Sequence, residues 1–114
     1  MAVLIDNRQS RHPIPIKTIR REAKAILSAL DSPDDELSIV YVDDEQIAAL
    51  NRTYLQRKGP TNVISFPMQE GDFGHLSPHL RGDVVISVDT AFREAESAAI
   101  PLSVRLTELL VHGV

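Results

Sequence analysis

One nearly continuous apolar run, residues 83–88, constrains the fold of this chain more than any other feature. It reads Asp-Val-Val-Ile-Ser-Val, and its β-branched residues favour a strand. Because it offers apolar side chains to both faces, it is typical of a central strand that is buried on both sides. Three shorter segments, residues 3–6, 37–42 and 63–66, predict further strands. The sequence therefore predicts one sheet of about four strands.

Helical periodicity separates these predicted strands. Apolar residues recur at three- and four-residue steps, which is the spacing of one helix face. The predicted buried stripes are Ile19, Ala23, Ile26, Leu27 and Leu30 in the first helix, Ile47, Leu50 and Tyr54 in the second, Phe92, Ala95 and Ala99 in the third, and Leu106, Leu109, Leu110 and Val114 in the last.

Local signals bound these helices. Asp31-Ser32-Pro33 ends the first helix, and Asp43 or Asp44 caps the second. Asp89 is predicted to cap the third helix, and Pro101 opens the last because its fixed φ suits a first helical turn. The sequence as a whole predicts a single α+β domain over residues 1–114, with a mixed sheet packed by about four to five helices.

The composition fits one domain with an aliphatic core. The chain has 114 residues, of which 43% are apolar and 4% aromatic. It has no cysteine, which excludes disulfides and thiolate metal sites and fits a reducing cytosol, so we expect a cytoplasmic location. The apolar start reaches a charge at Asp6, which is too early for a signal peptide or a membrane span.

The charges are segregated along the chain, although the net charge is only −4. Residues 8–24 hold six basic groups and one acidic group, and residues 31–45 hold seven acidic groups and no basic group. Arg52, Arg57 and Lys58 then form a basic patch with no acid between them. Such a patch can bind phosphate even on an acidic protein, and a solvated surface is the alternative.

Four stretches, taken in order, carry a resemblance to a known family. They read Leu-Asn-Arg-Thr-Tyr at 50–54, Pro-Thr-Asn-Val-Ile-Ser-Phe-Pro at 60–67, Gly-Asp-Val-Val-Ile-Ser at 82–87 and Leu-Leu-Val-His-Gly at 109–113. Their order and spacing resemble the YbeY family of metal-dependent endoribonucleases that mature ribosomal RNA. The resemblance covers the chain from about Leu37 to Val114. It implies an α+β fold in which the last helix borders a groove.

The resemblance implies one metal ligand in this chain. The family's most diagnostic block is a helical His-Gly-x-Leu-His followed by a loop with Gly-x-Asp-His, and only its first His-Gly is present, as His112-Gly113. Two histidines four apart on a helix and a third from a loop leave a zinc ion one open position for water, whose pKa the ion lowers. We therefore expect zinc as the cofactor, a domain that lacks its C-terminal end, and an inactive polypeptide over 1–114.

Arg57 is the candidate catalytic residue, since phosphodiester cleavage needs positive charge near the phosphate. The family usually has arginine directly after the tyrosine, where this chain has Leu55, so Arg57 and Lys58 are the nearest replacements. Lys58, Arg52 and Ser65 are candidate substrate-binding residues. Arg57 as a solvated loop charge, or as a cap on the preceding helix, remains an alternative.

Other polar residues are interpreted as structural. Thr61 and Asn62 hold the entry of a strand, and Asp83 pins the start of the central strand. His75 and His79 share the His-x-x-x-His spacing, but Pro78 lies between them in the loop predicted over residues 69–82. His12 has no motif around it.

The predicted function is a single-strand-preferring, metal-dependent endoribonuclease in ribosomal RNA processing and in the maturation and quality control of the ribosome. Its expected partners are ribosomal RNA and the ribosome or ribosomal proteins, with no membrane and no disulfide partner. A non-catalytic RNA-binding assembly factor is the alternative. A zinc-peptidase-like hydrolase is less favoured, because those enzymes have glutamate directly after the first histidine and this chain has Gly113.

Overall fold

Strand β4 (Leu80–Ser87) lies inside a four-stranded mixed sheet, as its apolar sequence predicts. The computed structural model describes residues 2–31, 36–67 and 80–114. Over these residues the strand order is β1-β2-β4-β3, with β1 at Ala2–Asn7, β2 at Glu36–Val42 and β3 at Val63–Pro67. Strand β2 pairs in parallel with β1 and with β4, and β3 pairs antiparallel to β4. The predicted α+β class and mixed sheet are confirmed.

Four helices occur within the described ranges. They are α1 at Ile16–Ala29, α2 at Asp44–Leu55, α3 at Val88–Ala98 and α4 at Leu102–Gly113. Asp43 caps α2, since its side chain accepts a hydrogen bond from the Gln46 backbone N–H at 2.8 Å. The N-cap of α2 is therefore Asp43 and not Asp44.

The sheet is buried on both faces at β4. Val84 and Ile86 join a larger apolar cluster with α1, α3 and α4, whereas Val85 joins a smaller cluster with Ile47 of α2. Since successive side chains of a strand point to opposite faces, this alternation places α2 against one face and α1, α3 and α4 against the other. The core is aliphatic apart from Tyr41, which is fully buried.

Three buried stripes differ from the prediction. Leu30, predicted on the buried side of α1, follows the last residue of that helix and is 46% exposed. The helical spacing predicts that Tyr54 of α2 faces the core, but its side chain is 61% exposed, and Asn51 is buried instead. In α3 the buried residues include Ala91 and Ala95, whereas Ala99 lies outside the helix in a left-handed conformation and is exposed. The stripe predicted for α3 therefore runs one residue too far, because the helix has already ended.

The cap of α3 is also corrected. Ser87 is its N-cap and accepts from the Thr90 N–H at 3.3 Å, whereas Asp89 lies inside the first turn. Strand β4 begins at Leu80, so Arg81 and Gly82 belong to the strand rather than to the predicted loop. The remainder of that loop, with His75 and His79, lies outside the described residues, as do Ser32 and Pro33.

No helix in the described part of the chain is both long enough and apolar enough to cross a membrane.

Candidate functional site

The last turn of α4 carries His112 and packs against the edge of the sheet. Leu106, Leu109 and Leu110 bury one side of the helix, which leaves His112 exposed on another side. Gly113 lies so close to the sheet that an added Cβ would be 2.7 Å from Val84 Cγ1. Glycine is therefore the residue that lets the end of this helix approach β4.

Ser65 holds the same helix end from the edge strand β3. Its hydroxyl donates a hydrogen bond of 3.0 Å to the Gly113 carbonyl, next to His112. Ser65 is exposed and lies with Val63 on the α4 face of the sheet, because alternate residues of a strand share a face. The structure thus places Ser65 and His112 together.

A polar network links the Pro-Thr-Asn-Val stretch to α4. Asn62 donates to the Glu94 carboxylate of α3 at 3.2 Å, and the same carboxylate pairs with Arg105 of α4 at 3.0 Å. Arg105 also pairs with Glu108 at 3.0 Å. The hydrogen bond to Glu108, followed by the one to Glu94, raises the pKa of Arg105. Asn62 is therefore a structural residue, as expected, and Glu94 of α3 connects it to the helix that carries His112.

The basic loop after α2 is fixed by the buried Asn51. Its side-chain amide donates to the Gly59 backbone carbonyl at 3.0 Å, and its backbone carbonyl accepts from the Arg57 backbone N–H at 3.2 Å. Gln56, in the left-handed region with φ 51°, ends the helix and turns the chain into this loop. Arg57 and Lys58 are therefore exposed side chains on an anchored backbone.

Only part of the predicted basic patch shares a groove. Arg52 and Lys58 line a groove of about 560 Å³ along α2, together with Glu45, and Arg57 is not among its lining residues. Within the described ranges, no hydrogen bond or ion pair joins these three basic residues to His112. The site therefore has two parts, the basic loop and the end of α4, with strand β3 between them.

The described residues supply one candidate ligand for a metal ion. His112 offers an exposed imidazole, but no three histidine, aspartate or glutamate side chains group together within residues 2–31, 36–67 and 80–114 to hold an ion. A zinc site needs three or four protein ligands. These residues by themselves therefore do not make a metal site.

A second polar cluster, which the sequence analysis missed, lies where β2 and β4 end. Asp89, only 6% exposed, accepts from Arg11 at 2.8 Å and from the Asp44 backbone N–H at 3.0 Å. It also contacts His12 Nε2 at 3.2 Å, and the His12 ring stacks on Phe92 with centroids 4.6 Å apart. His12 is thus a structural residue that holds the segment after β1 against α3.

Asp44 completes this cluster through its own hydrogen bonds. Burial alone would raise the pKa of Asp44, but hydrogen bonds from Thr90, Ser87 and Arg93 outweigh that effect and lower the pKa below its usual value. The hydroxyls of Ser87 and Thr90 lie 2.7 and 2.6 Å from Oδ1, and Arg93 lies 2.7 Å from Oδ2. The charged carboxylate therefore stabilises the junction of α2 and α3.

This lowered pKa predicts a loss of stability in acid. A carboxylate with a depressed folded-state pKa contributes stability above its unfolded pKa, near pH 4, and that contribution is lost as the pH falls further. We expect Asp44→Asn to reduce the loss of stability in acid. The measurement is the free energy of unfolding in urea at neutral and at acidic pH. Glu96→Gln, an exposed change on α3, is the control and should follow the unmodified protein. An acid dependence that Asp44→Asn leaves unchanged would contradict this role.

The fold and the two-part site define a small α+β domain in which a helix-borne histidine and an anchored basic loop flank one edge strand. Comparison with known proteins identifies the group within this class. The family model described as endoribonuclease YbeY matches residues 4–114. The chain belongs to the endoribonuclease YbeY family. The match begins at residue 4, well before Leu37, where the four quoted stretches place the start of the resemblance.

Curated relatives agree with this assignment. The chain is 56% identical to an endoribonuclease YbeY of Geobacter sulfurreducens over 113 residues, which cover 99% of this chain and 75% of the relative. It is 54% identical to the Geobacter metallireducens protein of the same name, covering 100% of this chain and 76% of that protein.

A solved structure supports the fold. The solution structure of a Thermotoga maritima protein matches with a TM-score of 0.70 at 18% identity, over 97% of this chain and 68% of that one. At this identity the likeness concerns the fold alone.

Proposed function

We propose that this domain belongs to an endoribonuclease that acts in the processing of ribosomal RNA and in ribosome maturation and quality control. The observation that carries the proposal is the family match across residues 4–114, together with relatives named endoribonuclease YbeY at 56% and 54% identity. We further propose a preference for single-stranded RNA, a cytoplasmic location, and ribosomal RNA with the ribosome or its proteins as partners.

The proposed roles follow the two parts of the site. Arg57 neutralises charge at the phosphate that is cleaved, because guanidinium is a permanent cation with a planar fork of donors. Lys58 and Arg52 bind the neighbouring phosphates from their shared groove. Ser65 contacts the substrate beside the end of α4, which its hydroxyl holds through the bond to the Gly113 carbonyl. His112 is proposed as one ligand of a catalytic metal ion, zinc by preference, whose other ligands are not among the described residues.

The two alternative functions require different residues. A zinc-peptidase-like site would need glutamate directly after His112, where Gly113 packs too closely on Val84 to admit a side chain. A non-catalytic RNA-binding assembly factor would need only the exposed groove formed with Arg52 and Lys58. The presence or absence of metal-dependent cleavage separates the enzyme from the binding factor.

Removal of metal is expected to abolish cleavage by the full-length protein. The measurement follows a single-stranded fragment of ribosomal RNA before chelator treatment, after it, and after zinc is added back. The expected result is loss followed by recovery. A polypeptide of these 114 residues is the control: with one imidazole at the site, it should bind less than an equivalent of zinc and should not cleave. Cleavage that persists without metal would contradict the metal dependence, and a full equivalent of zinc on the control would contradict the ligand assignment.

A further inference from the structure

Tyr54 lies at a position where helical spacing predicts burial, yet its side chain is 61% exposed. Its ring packs edge-on against Phe66 of β3, with centroids 5.5 Å apart and an interplanar angle of 80°. This contact orients the ring on the sheet while most of its surface stays open to solvent. An exposed aromatic ring that a second ring holds in place is well suited to stack on a planar ligand.

The sequence segment that carries Tyr54 is basic, and Glu45, just before it, lines the groove that Arg52 and Lys58 share. Residues 46–66 contain three basic residues, Arg52, Arg57 and Lys58, and no aspartate or glutamate. All three are exposed, and Asn51 anchors the loop that carries two of them. An oriented aromatic ring on a basic segment complements a polyanion that carries planar groups. Single-stranded nucleic acid has this chemistry, whereas the bases of a duplex are already stacked on one another.

Strand β3 connects Tyr54 to the other part of the site, the end of α4. Its contact residue, Phe66, is the neighbour of Ser65 in β3, and Ser65 bonds the Gly113 carbonyl beside His112. Because consecutive residues of a strand point to opposite faces, Tyr54 and His112 lie on opposite sides of the same strand. Strand β3 is at the edge of the described sheet, where a bound chain can pass from one face to the other.

We propose that Tyr54 is a substrate-binding residue that stacks on a base of single-stranded RNA while Arg52, Arg57 and Lys58 hold the flanking phosphates. The inference rests on the proposed function and adds to it the residue that recognises an unpaired base. Every base has a flat face, so this contact prefers single strands without selecting a sequence. Loss of one stacked base weakens binding by about tenfold.

The chain provides its own optical probe for this contact. It has two tyrosines and no tryptophan, and the second tyrosine, Tyr41, is fully buried. The Tyr41 hydroxyl has no hydrogen-bond partner in the described part of the chain, so Tyr41→Phe removes no bond among those residues and leaves Tyr54 as the only tyrosine of the 114 residues. In the 114-residue chain that carries this change, an eight-nucleotide oligouridylate should quench the tyrosine emission to saturation. N-acetyltyrosinamide at matched concentration corrects for absorbance by the RNA.

The second measurement is the affinity for the same oligonucleotide, labelled for fluorescence anisotropy. A chelator is present so that the RNA stays intact. We expect Tyr54→Ala and Tyr54→Leu to raise the Kd about tenfold, Tyr54→Phe to keep it, and Leu55→Ala, an exposed neighbouring change, to leave it unaltered. An unquenched Tyr54, or an unchanged Kd in both Tyr54→Ala and Tyr54→Leu, would overturn the inference and assign the exposed ring to another contact. Failure of the proposed function would show separately, as RNA that is bound through Tyr54 but never cleaved.

Discussion

Replacing Arg57 by alanine in the full-length protein is expected to lower the rate of RNA cleavage about a hundredfold, which is the usual effect of removing one group that stabilises transition-state charge. The side chain is exposed and forms no ion pair within the described ranges, so its guanidinium is free to contact a phosphate. The backbone of the residue is held by Asn51, whose carbonyl accepts from the Arg57 N–H at 3.2 Å. Alanine keeps this backbone bond, and the midpoint of urea unfolding should therefore not move.

The control for this variant is Arg21→Ala, which removes an exposed arginine from α1. Its cleavage rate should equal that of the unmodified protein, measured with the same RNA under the same conditions. Equal rates for Arg57→Ala and Arg21→Ala would reject the catalytic role of Arg57. A loss of cleavage accompanied by a lower unfolding midpoint would instead make Arg57 a structural residue of the loop.

Replacing Asp89 by alanine is expected to lower the free energy of unfolding by about 3 kcal/mol, because a nearly buried carboxylate with several charged or polar partners is removed. Asp89 joins three segments that are far apart in sequence: Arg11 after β1, the N-terminus of α2 at Asp44, and α3 itself. Alanine would leave the Asp44 N–H and the half-buried His12 without their acceptor. Urea unfolding at neutral pH measures the change.

Glu96→Ala is the matched control for Asp89, since it removes an exposed carboxylate from the same helix. Its effect should stay within about 0.5 kcal/mol, as is usual for a surface substitution. Comparable losses in the two variants would show that Asp89 contributes no more than an ordinary surface charge, and the cluster would then not organise this end of the sheet.

Local patterns were sufficient to predict the elements of the fold. The run in β4 predicts a strand buried on both faces, and Val85 packs on one side of it while Val84 and Ile86 pack on the other. The periodic stripes predict four helices, all of which are present in the described residues. This succeeds because hydrophobic spacing of 2.0 or 3.6 residues is a property of a short segment.

Contacts between distant segments could not be predicted in this way. The His12–Asp89 contact spans 77 residues of sequence, and the Asn62–Glu94 bond spans 32, so no local spacing encodes either. Asn51 is buried because it satisfies the Gly59 carbonyl, a reason that a hydrophobic stripe cannot reveal. Burial of Asn51 and exposure of Tyr54 are two results of the same tertiary packing.

The sequence supplied candidate residues of the site but not the contacts between them. The family resemblance predicts His112 as a metal ligand, and Ser65 is a candidate substrate-binding residue; both roles stay predictions. The bond between Ser65 and the Gly113 carbonyl joins distant segments, and no local pattern indicates it. The groove that unites Arg52 and Lys58 without Arg57 depends on how Asn51 folds the loop back on α2. Glu94 and Arg105, which connect Asn62 to α4, gave no signal in the sequence because each is an ordinary charge on an amphipathic helix.

The most direct test of the account is the cleavage pattern of an end-labelled fragment of ribosomal RNA that contains one single-stranded and one base-paired segment. The fragment is incubated with the full-length protein and zinc, and the products are mapped at nucleotide resolution. The account predicts internal cuts confined to the single-stranded segment. RNA that is saturated with protein, shifts in a native gel and remains uncut would contradict it and would make this domain an RNA-binding assembly factor.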